Sequence, residues 1–148
     1  MTTFTLYRAA AAAMAFVLVG HTIGGMFSET DVGPAGNAVF ASMKVIKFNF
    51  FGSQCTWYGF HMGFGLNVSL LLGLSSFMTW YIDALPIDVW PHVAPLAWAL
   101  VAATALATLL SWMYFFLMPS ISMTLATLFL FAGTLQKNKG SVETKKRS

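Results

Sequence analysis

The sequence predicts an all-α integral membrane protein in which four transmembrane helices form an antiparallel bundle. Of its 148 residues, 57% are hydrophobic and 9% are charged, whereas a soluble domain carries about 25% charged residues. The charges are also segregated, since residues 9–28, 48–82 and 89–136 contain no Asp, Glu, Lys or Arg. A transmembrane helix needs roughly 20 mostly apolar residues. The first two stretches therefore fit one helix each, and the third is long enough for two.

The first helix is expected at about residues 7–27. A cleaved signal peptide is the alternative for this segment, because Arg8 precedes a run of alanines and other apolar residues. Such peptides carry a small-x-small cleavage site after the apolar core. Here His21 and Thr22 follow the core instead, so a retained helix is the better interpretation.

A short interfacial helix is expected at about residues 38–50, after a polar loop at residues 28–37. Its apolar residues recur at helical spacing, with Lys44 and Lys47 to the side. A helix of this kind lies on the membrane surface with its apolar side towards the lipid. We predict that it lies on the outer leaflet. A re-entrant lid over the bundle is the alternative.

The second and third helices are expected at about residues 55–81 and 95–118. The loop between them is short and proline-rich, so they are predicted to be antiparallel neighbours. Proline removes a backbone donor and breaks helices. Pro119 is therefore predicted to form a tight hairpin into the fourth helix, at about residues 120–135.

Residues 1–136 are thus predicted to form a single transmembrane domain, followed by a basic tail at residues 137–148. The segment 135–148 holds five of the eight Lys and Arg residues, and Arg8 flanks the first helix. Basic residues favour the cytoplasmic side, so both termini are predicted to be cytoplasmic, in the inner membrane of a bacterium. The tail would meet anionic membrane lipids, and no nucleic-acid partner is expected.

Small residues mark where helices would approach each other closely, because apolar burial does not drive helices together in lipid. They form three groups: Gly20-x-x-x-Gly24 on the first helix, Gly59-x-x-x-Gly63 on the second, and Gly65, Ser69 and Gly73 on another face of the second. The second helix is therefore predicted to be central, with neighbours on two faces. Other membrane subunits, or further copies of this chain, are the expected protein partners.

His21 and His61 are the histidines of the predicted helices, and three interpretations of them stay open. They could be the axial ligands of a b-type haem inside the bundle. They could join Cys55 or Glu29 in a zinc or copper site. In the third interpretation each imidazole hydrogen-bonds a neighbouring side chain or a backbone carbonyl and fixes the helix register. The third is favoured, since no ligand spacing matches a known metal pattern.

A ligand pocket is also predicted around the outer end of the second helix. An apolar wall with a few polar anchors is the usual character of a small-molecule site. Lipids, quinones, sterols, or pigments such as carotenoids would suit such a wall. The residues expected to form it are Trp57, Tyr58, His61, Phe64 and Gly65 on the second helix, with His21 and Gly24 opposite.

Enzyme signatures are missing from the sequence. It contains no Ser-His-acid set with plausible spacing, no CxxC, no HExxH and no phosphate loop. A lipid- or sterol-modifying enzyme with His61 as its acid or base is the least favoured function, because no carboxylate accompanies that histidine. A non-enzymatic function is therefore favoured.

Two segments resemble a group of small, uncharacterised bacterial four-helix membrane proteins. The segment GHTIGG at 20–25 resembles the GHTxG end of their first helix, and TWYGFHMGFGLNVSL at 56–70 resembles the TxxxFxxGFG start of their second. The residues that match the second element are Thr56, Phe60, Gly63, Phe64 and Gly65. The resemblance implies a four-helix integral membrane fold and no particular activity.

The sequence thus predicts a non-enzymatic integral membrane protein. Its expected function is to bind an apolar ligand, pigment or lipid, or to act as an accessory subunit of a larger membrane complex. The alternative is a redox protein that carries haem or a metal on His21 and His61.

Overall fold

The computed structural model of the protein describes residues 5–28 and 31–147, and most of these residues are helical. Five α-helices and a short hairpin account for the fold. The elements are α1 (Leu6–Val19), a π-helix (Gly20–Phe27), α2 (Gly33–Val45), β1 (Lys47–Phe50), β2 (Ser53–Thr56), α3 (Trp57–Ala84), a 3-10 turn (Ile87–Val89), α4 (Trp90–Tyr114) and α5 (Leu117–Arg147).

Four helical segments are long and apolar enough to cross a membrane: Leu6–Phe27, Trp57–Ala84, Ile87–Tyr114 and Leu117–Lys146. The prediction of a helical protein with four such segments is therefore confirmed. The chain divides into two compact units, which consist of the described residues of Met1–Val17 with Leu72–Ser148, and of Leu18–Leu71. We refer to them as the core unit and the cavity unit. The prediction of a single transmembrane domain stays a prediction.

The core unit packs segments of α1, α3, α4 and α5 around one apolar cluster. Its buried members are Tyr7, Ala10, Met14, Ile82, Trp90, Ala97, Leu100, Val101, Met123, Ala126 and Leu130. Small residues at several of these positions let the helix backbones approach closely. The hydroxyl of Ser76 also donates to the carbonyl of Ala11 at 2.9 Å and so joins α3 to α1.

Polar contacts join the helices at one end of the core unit. The Arg8 guanidinium pairs with the Asp83 carboxylate at 3.0 Å. The Lys137 ammonium donates to the carbonyls of Ile82 and Asp83, at 2.6 and 3.1 Å. The Trp90 indole N–H donates to the side-chain oxygen of Asn138 at 2.6 Å. These contacts hold the ends of α1, α3, α4 and α5 in one register.

The predicted interfacial helix at 38–50 is wrong over its last five residues. The helix α2 begins earlier, at Gly33 inside the predicted polar loop, and ends at Val45. The chain then forms an antiparallel hairpin in which Phe50 faces Ser53. The two residues between them take left-handed backbone angles, with φ of 48° at Phe51 and 85° at Gly52. A two-residue turn of this kind matches the twist of paired strands. Residues 47–50 therefore form a strand of the hairpin instead of continuing the helix.

Several predicted helix ends are also corrected. Because Cys55 and Thr56 lie in β2, α3 begins at Trp57, and it continues past the predicted end to Ala84. The helix α4 runs from Trp90 to Tyr114 rather than over 95–118. Its early start is compatible with Pro91, which occupies the first turn, where no backbone N–H is needed, whereas Pro95 lies inside the helix.

The hairpin between the last two helices precedes Pro119 instead of forming at it. The chain leaves the helical conformation at residues 115–116, and Pro119 lies in the first turn of α5. Most of the predicted basic tail at 137–148 belongs to α5, which continues to Arg147, and its cytoplasmic location stays a prediction. The contacts of Lys137 and Asn138 with the core unit extend the packed part of α5 beyond its apolar part.

Candidate functional site

The cavity unit is built on the segment Gly20–Phe27, which forms a π-helix directly after α1. π-Helices are rare, are mostly single turns inside α-helices, and are frequent at functional sites. The buried residues among those described in this unit are Gly65 and Ser69, both on α3. The contact between the π-helix and this face of α3 is therefore the packed centre of the unit.

A small polar network occupies this contact. The Nε2 atom of His21 lies 2.9 Å from the carbonyl oxygen of Gly65. The Thr22 hydroxyl donates to the Ser69 hydroxyl at 2.8 Å, which in turn donates to the same carbonyl at 3.3 Å. Because a carbonyl oxygen only accepts hydrogen bonds, Nε2 carries a proton in this contact. His21 thus has the backbone-carbonyl partner that the third interpretation predicts.

Gly65 allows the π-helix to approach α3 closely. A Cβ atom at this position would lie 2.9 Å from Cε of Met26 and closer still to its sulfur. By contrast, a Cβ atom at Gly20, Gly24 or Gly63 would meet no described atom within 4 Å beyond the glycine's own stretch of helix. The π-helix therefore packs against the Gly65–Ser69 face of α3, whereas the space beside Gly20, Gly24 and Gly63 is open.

His61 has a different environment from His21. Its ring packs edge-on against Phe40 at a centroid distance of 5.8 Å and lies 6.3 Å from the Tyr58 ring. Its nitrogens form no hydrogen bond with a described residue. A haem held by both histidines would have to bind Nδ1 of His21 or displace the bond to Gly65, because that bond uses Nε2.

The described residues contain no group of three His, Cys, Asp or Glu side chains that could hold a metal ion. Cys55 lies on β2, where its thiol contacts the carbonyl of Ser53 at 3.6 Å. Glu29, the other predicted ligand, lies outside the described residues. His92, which the sequence prediction left in a loop, is exposed in the first turn of α4.

A partly open cavity of about 510 Å³ lies within the cavity unit. Its volume falls in the range of about 300–1,000 Å³ that is usual for small-molecule sites. The end of the π-helix, α2 and the first turns of α3 surround it. The lining residues are Gly25, Met26, Val32, Phe40, Ala41 and Met62, which are apolar, and Ser28, Asp31, Asn37, Lys44, Tyr58 and His61, which are polar.

Lys44 supplies the positive charge of the cavity. Its ammonium lies 5.0 Å from the centre of the Tyr58 ring, a cation–π contact. It forms no ion pair with a carboxylate of the described residues. Lys44 and His61 therefore face one cavity without an acceptor from the described part of the chain.

Asp31 supplies the negative charge and organises the start of α2. Its Oδ1 accepts hydrogen bonds from the backbone N–H of Gly33 at 2.9 Å and from the Asn37 amide at 2.8 Å. The Asn37 oxygen in turn accepts from the N–H of Val32 at 3.2 Å. The bond from Gly33, followed by that from Asn37, holds the pKa of the Asp31 carboxyl below its usual value. This side chain is therefore charged at neutral pH.

The structure divides the predicted pocket residues into three sets. Tyr58 and His61 line the cavity, whereas His21 and Gly65 form the polar network beside it. Met26 links the two, because it covers Gly65 and also lines the cavity.

The remaining three predicted residues do not line the cavity. The Trp57 ring packs against Phe48 in a tilted arrangement with a centroid distance of 4.7 Å, and Phe64 stacks on Phe60 with a centroid distance of 6.1 Å. Gly24 is exposed, and its side-chain position is open.

Four lining residues, Met26, Asp31, Asn37 and Lys44, were not predicted from the sequence as site residues. Asp31 carries a signal that could have been used, because an Asp shortly before a Gly-Pro pair is typical of a helix start. Lys44 carries none, since a lysine beside an apolar helix face is ordinary. Comparisons of the chain with protein-family models, curated proteins and solved structures find no match.

Proposed function

We propose that this is an integral membrane protein that binds a small amphiphilic molecule in the cavity of the Leu18–Leu71 unit. One observation carries the proposal: the cavity joins an apolar wall to polar groups, Lys44 and His61, that have no acceptor among the described residues. Specific small-molecule sites combine these two features. The proposed function is therefore binding.

The apolar wall suits a flexible ligand. Met26 and Met62 are unbranched and polarisable, so their side chains adapt to irregular shapes such as acyl chains. Phe40 and Val32 retain 38% and 49% of their accessible surface in the structure. A ligand that covered them would gain about 25 cal/mol for each Å² of apolar surface removed from water.

The rest of the molecule supports a membrane location. The candidate spans expose large apolar side chains that water would solvate poorly, for example Leu70, Phe77, Leu106 and Leu109, each more than half exposed. We place both termini in the cytoplasm of a bacterium, because Arg8 and the basic end of α5 favour that side. The cavity, beside the end of one span and the start of the next, then lies at the outer headgroup region, within reach of lipid.

Native mass spectrometry of the full-length protein, released gently from membranes, tests the proposal. Wild-type protein is expected to retain an amphiphile of defined mass. Ala41→Phe places a ring in the cavity and is expected to remove that mass. Ala35→Phe is the matched control, because it adds the same ring to an exposed position of α2 that does not line the cavity.

Two results would contradict the proposal. Wild-type protein that retains no amphiphile, even after incubation with a total lipid extract, would refute ligand binding. Equal retention by the two phenylalanine variants would place the ligand elsewhere. A haem absorbance band in the purified protein would instead favour the redox alternative on His21 and His61.

A second candidate function is that of an accessory subunit or a homo-oligomer. It is favoured by the open positions at Gly20, Gly24 and Gly63 on candidate spans, where an added Cβ atom would meet no described atom within 4 Å beyond the glycine's own stretch of helix. Gly63→Leu is expected to remove a co-purifying partner or the second copy. Retention of every partner by this variant would count against this candidate.

A further inference from the structure

The cavity presents a cation and an anion that do not pair with each other. Lys44 lies on α2 and Asp31 lies just before it, and both line the same cavity. No ion pair joins them, although opposite charges on neighbouring flexible side chains attract each other. Two opposite charges that line one cavity and form no ion pair within the described residues are complementary to a molecule that carries both charges itself.

The Asp31 end of the cavity is rich in acceptors. Its Oδ1 is used by Gly33 and Asn37, but a carboxylate offers about four lone-pair sites, so Oδ2 remains for a ligand. The Ser28 hydroxyl donates its hydrogen to the carbonyl of Ile23 at 2.7 Å and keeps its own lone pairs free to accept. This end therefore suits a positively charged group that donates hydrogen bonds.

The Lys44 end is rich in donors. The ammonium of Lys44 carries three N–H donors and has no acceptor among the described residues. The imidazole of His61 and the hydroxyl of Tyr58, both on the first turns of α3, line the same cavity and are also without hydrogen-bond partners in the described chain. Hydrogen bonds from a charged donor to an anion are about twice as strong as neutral ones. This end therefore suits a phosphate.

The aromatic rings distinguish between kinds of cation. A quaternary ammonium group is held by open aromatic faces. Here Lys44 already covers the ring of Tyr58, and Phe40 is packed against His61. A primary ammonium group needs acceptors instead, and Asp31 with Ser28 offers them.

We infer that the ligand of this cavity is a zwitterionic phospholipid with a primary ammonium group, the ethanolamine class. Its phosphate binds Lys44, His61 and Tyr58, and its ammonium binds Asp31. Its acyl chains follow the apolar wall formed by residues such as Met26 and Met62. This inference rests on the proposed function, since it names the ligand of the same cavity.

Lipid retention in full-length protein tests the inference. Protein in mixed micelles is incubated with equal amounts of phosphatidylethanolamine, phosphatidylglycerol and phosphatidylcholine, and the retained lipid is measured by native mass spectrometry. Wild-type protein is expected to retain the ethanolamine lipid at least about threefold over each of the others, which corresponds to roughly 0.7 kcal/mol.

Charge variants assign the two ends of the headgroup. Asp31→Asn keeps the oxygen that accepts from Gly33 and removes only the charge, so it is expected to abolish the preference for ethanolamine over glycerol lipid. Lys44→Gln is expected to reduce retention of all three lipids about threefold or more. Lys47→Gln, on β1 and outside the cavity lining, is the control and is expected to change nothing.

The outcomes separate this inference from the proposed function. Preference for phosphatidylglycerol, equal retention of phosphatidylcholine, or a preference that survives Asp31→Asn would overturn the ethanolamine assignment. The proposed function would still stand if Ala41→Phe removed the retained lipid. Wild-type protein that retains no lipid would overturn both. Glycerophosphoethanolamine, which lacks acyl chains, is expected to compete weakly, and competition as strong as that of the whole lipid would indicate a water-soluble ligand instead.

Discussion

Replacing Gly65 by alanine is expected to disrupt the packed centre of the cavity unit. The new methyl group would lie 2.9 Å from Cε of Met26 and closer still to its sulfur. Carbon atoms pack best at about 3.5–4.0 Å, so the Met26 side chain would have to move by about 1 Å or more. It lies between α3 and the cavity, and its movement therefore affects both.

The loss of stability expected for Gly65→Ala depends on how easily the Met26 side chain can move. Overpacking a well-packed site costs about 1–3 kcal/mol, and methionine relieves part of it because it has three rotatable bonds. Alanine also favours a helix over glycine by about 1 kcal/mol. Gly63→Ala shares that gain, and its methyl group would meet no described atom within 4 Å beyond its own stretch of helix. We therefore expect Gly65→Ala to be about 1–2 kcal/mol less stable than Gly63→Ala.

Unfolding in mixed micelles, followed by tryptophan fluorescence, measures the difference between the two variants. Adding Met26→Ala to Gly65→Ala removes the clash, so the two substitutions together should cost about 1 kcal/mol less than the sum of their separate effects. Equal stability of Gly65→Ala and Gly63→Ala, within about 0.5 kcal/mol, would refute the close approach of the π-helix to α3.

Two further predictions concern other parts of the chain. Gly133→Ala on α5 would place a methyl group 2.8 Å from the ring of the buried Tyr7 and is expected to cost about 2–3 kcal/mol, whereas Gly140→Ala, whose nearest neighbour would lie at 3.8 Å, should be tolerated. Unfolding midpoints compare the two, and equal midpoints would contradict this packing. The Asp31 carboxylate has a lowered pKa, so its contribution to the start of α2 should be complete above about pH 4, the unfolded value, and lost as the pH falls through the lower folded value. A backbone NMR titration measures this, and a transition above pH 4 or one that persists in Asp31→Asn would contradict it.

The number of long apolar helices is predictable because such helices can be recognised from their high apolar and low charged content. Four apolar stretches are separated by polar or proline-containing segments, and the structure has four long apolar helices at these places. Their ends were less predictable. The spacing of Val39, Met43, Ile46 and Phe50 fits a helix, yet the left-handed turn at Phe51 and Gly52 pairs the last of these residues in a hairpin.

The site was predictable to a smaller extent. Aromatic and glycine content drew attention to the start of α3, where Tyr58, His61 and Gly65 do lie at or beside the cavity. Lys44 and Asp31 were not identified, because each is an ordinary residue in its own segment. Their relevance to binding depends on both lining the same cavity. Similarly, nothing near Gly133 in the sequence indicates that the ring of Tyr7, far away along the chain, lies against it.

The sequence by itself determined the number of apolar helices and their approximate positions, because hydropathy and charge segregation are local properties of a segment. Only the tertiary structure decided how the polar residues are used. In the structure, His21 is hydrogen-bonded to the carbonyl of Gly65, and Lys137 on α5 is hydrogen-bonded to the carbonyl of Ile82. Lys44 and Asp31 line one cavity. Such pairings depend on distances between segments that are separate in the chain, and composition and periodicity carry no information about those distances.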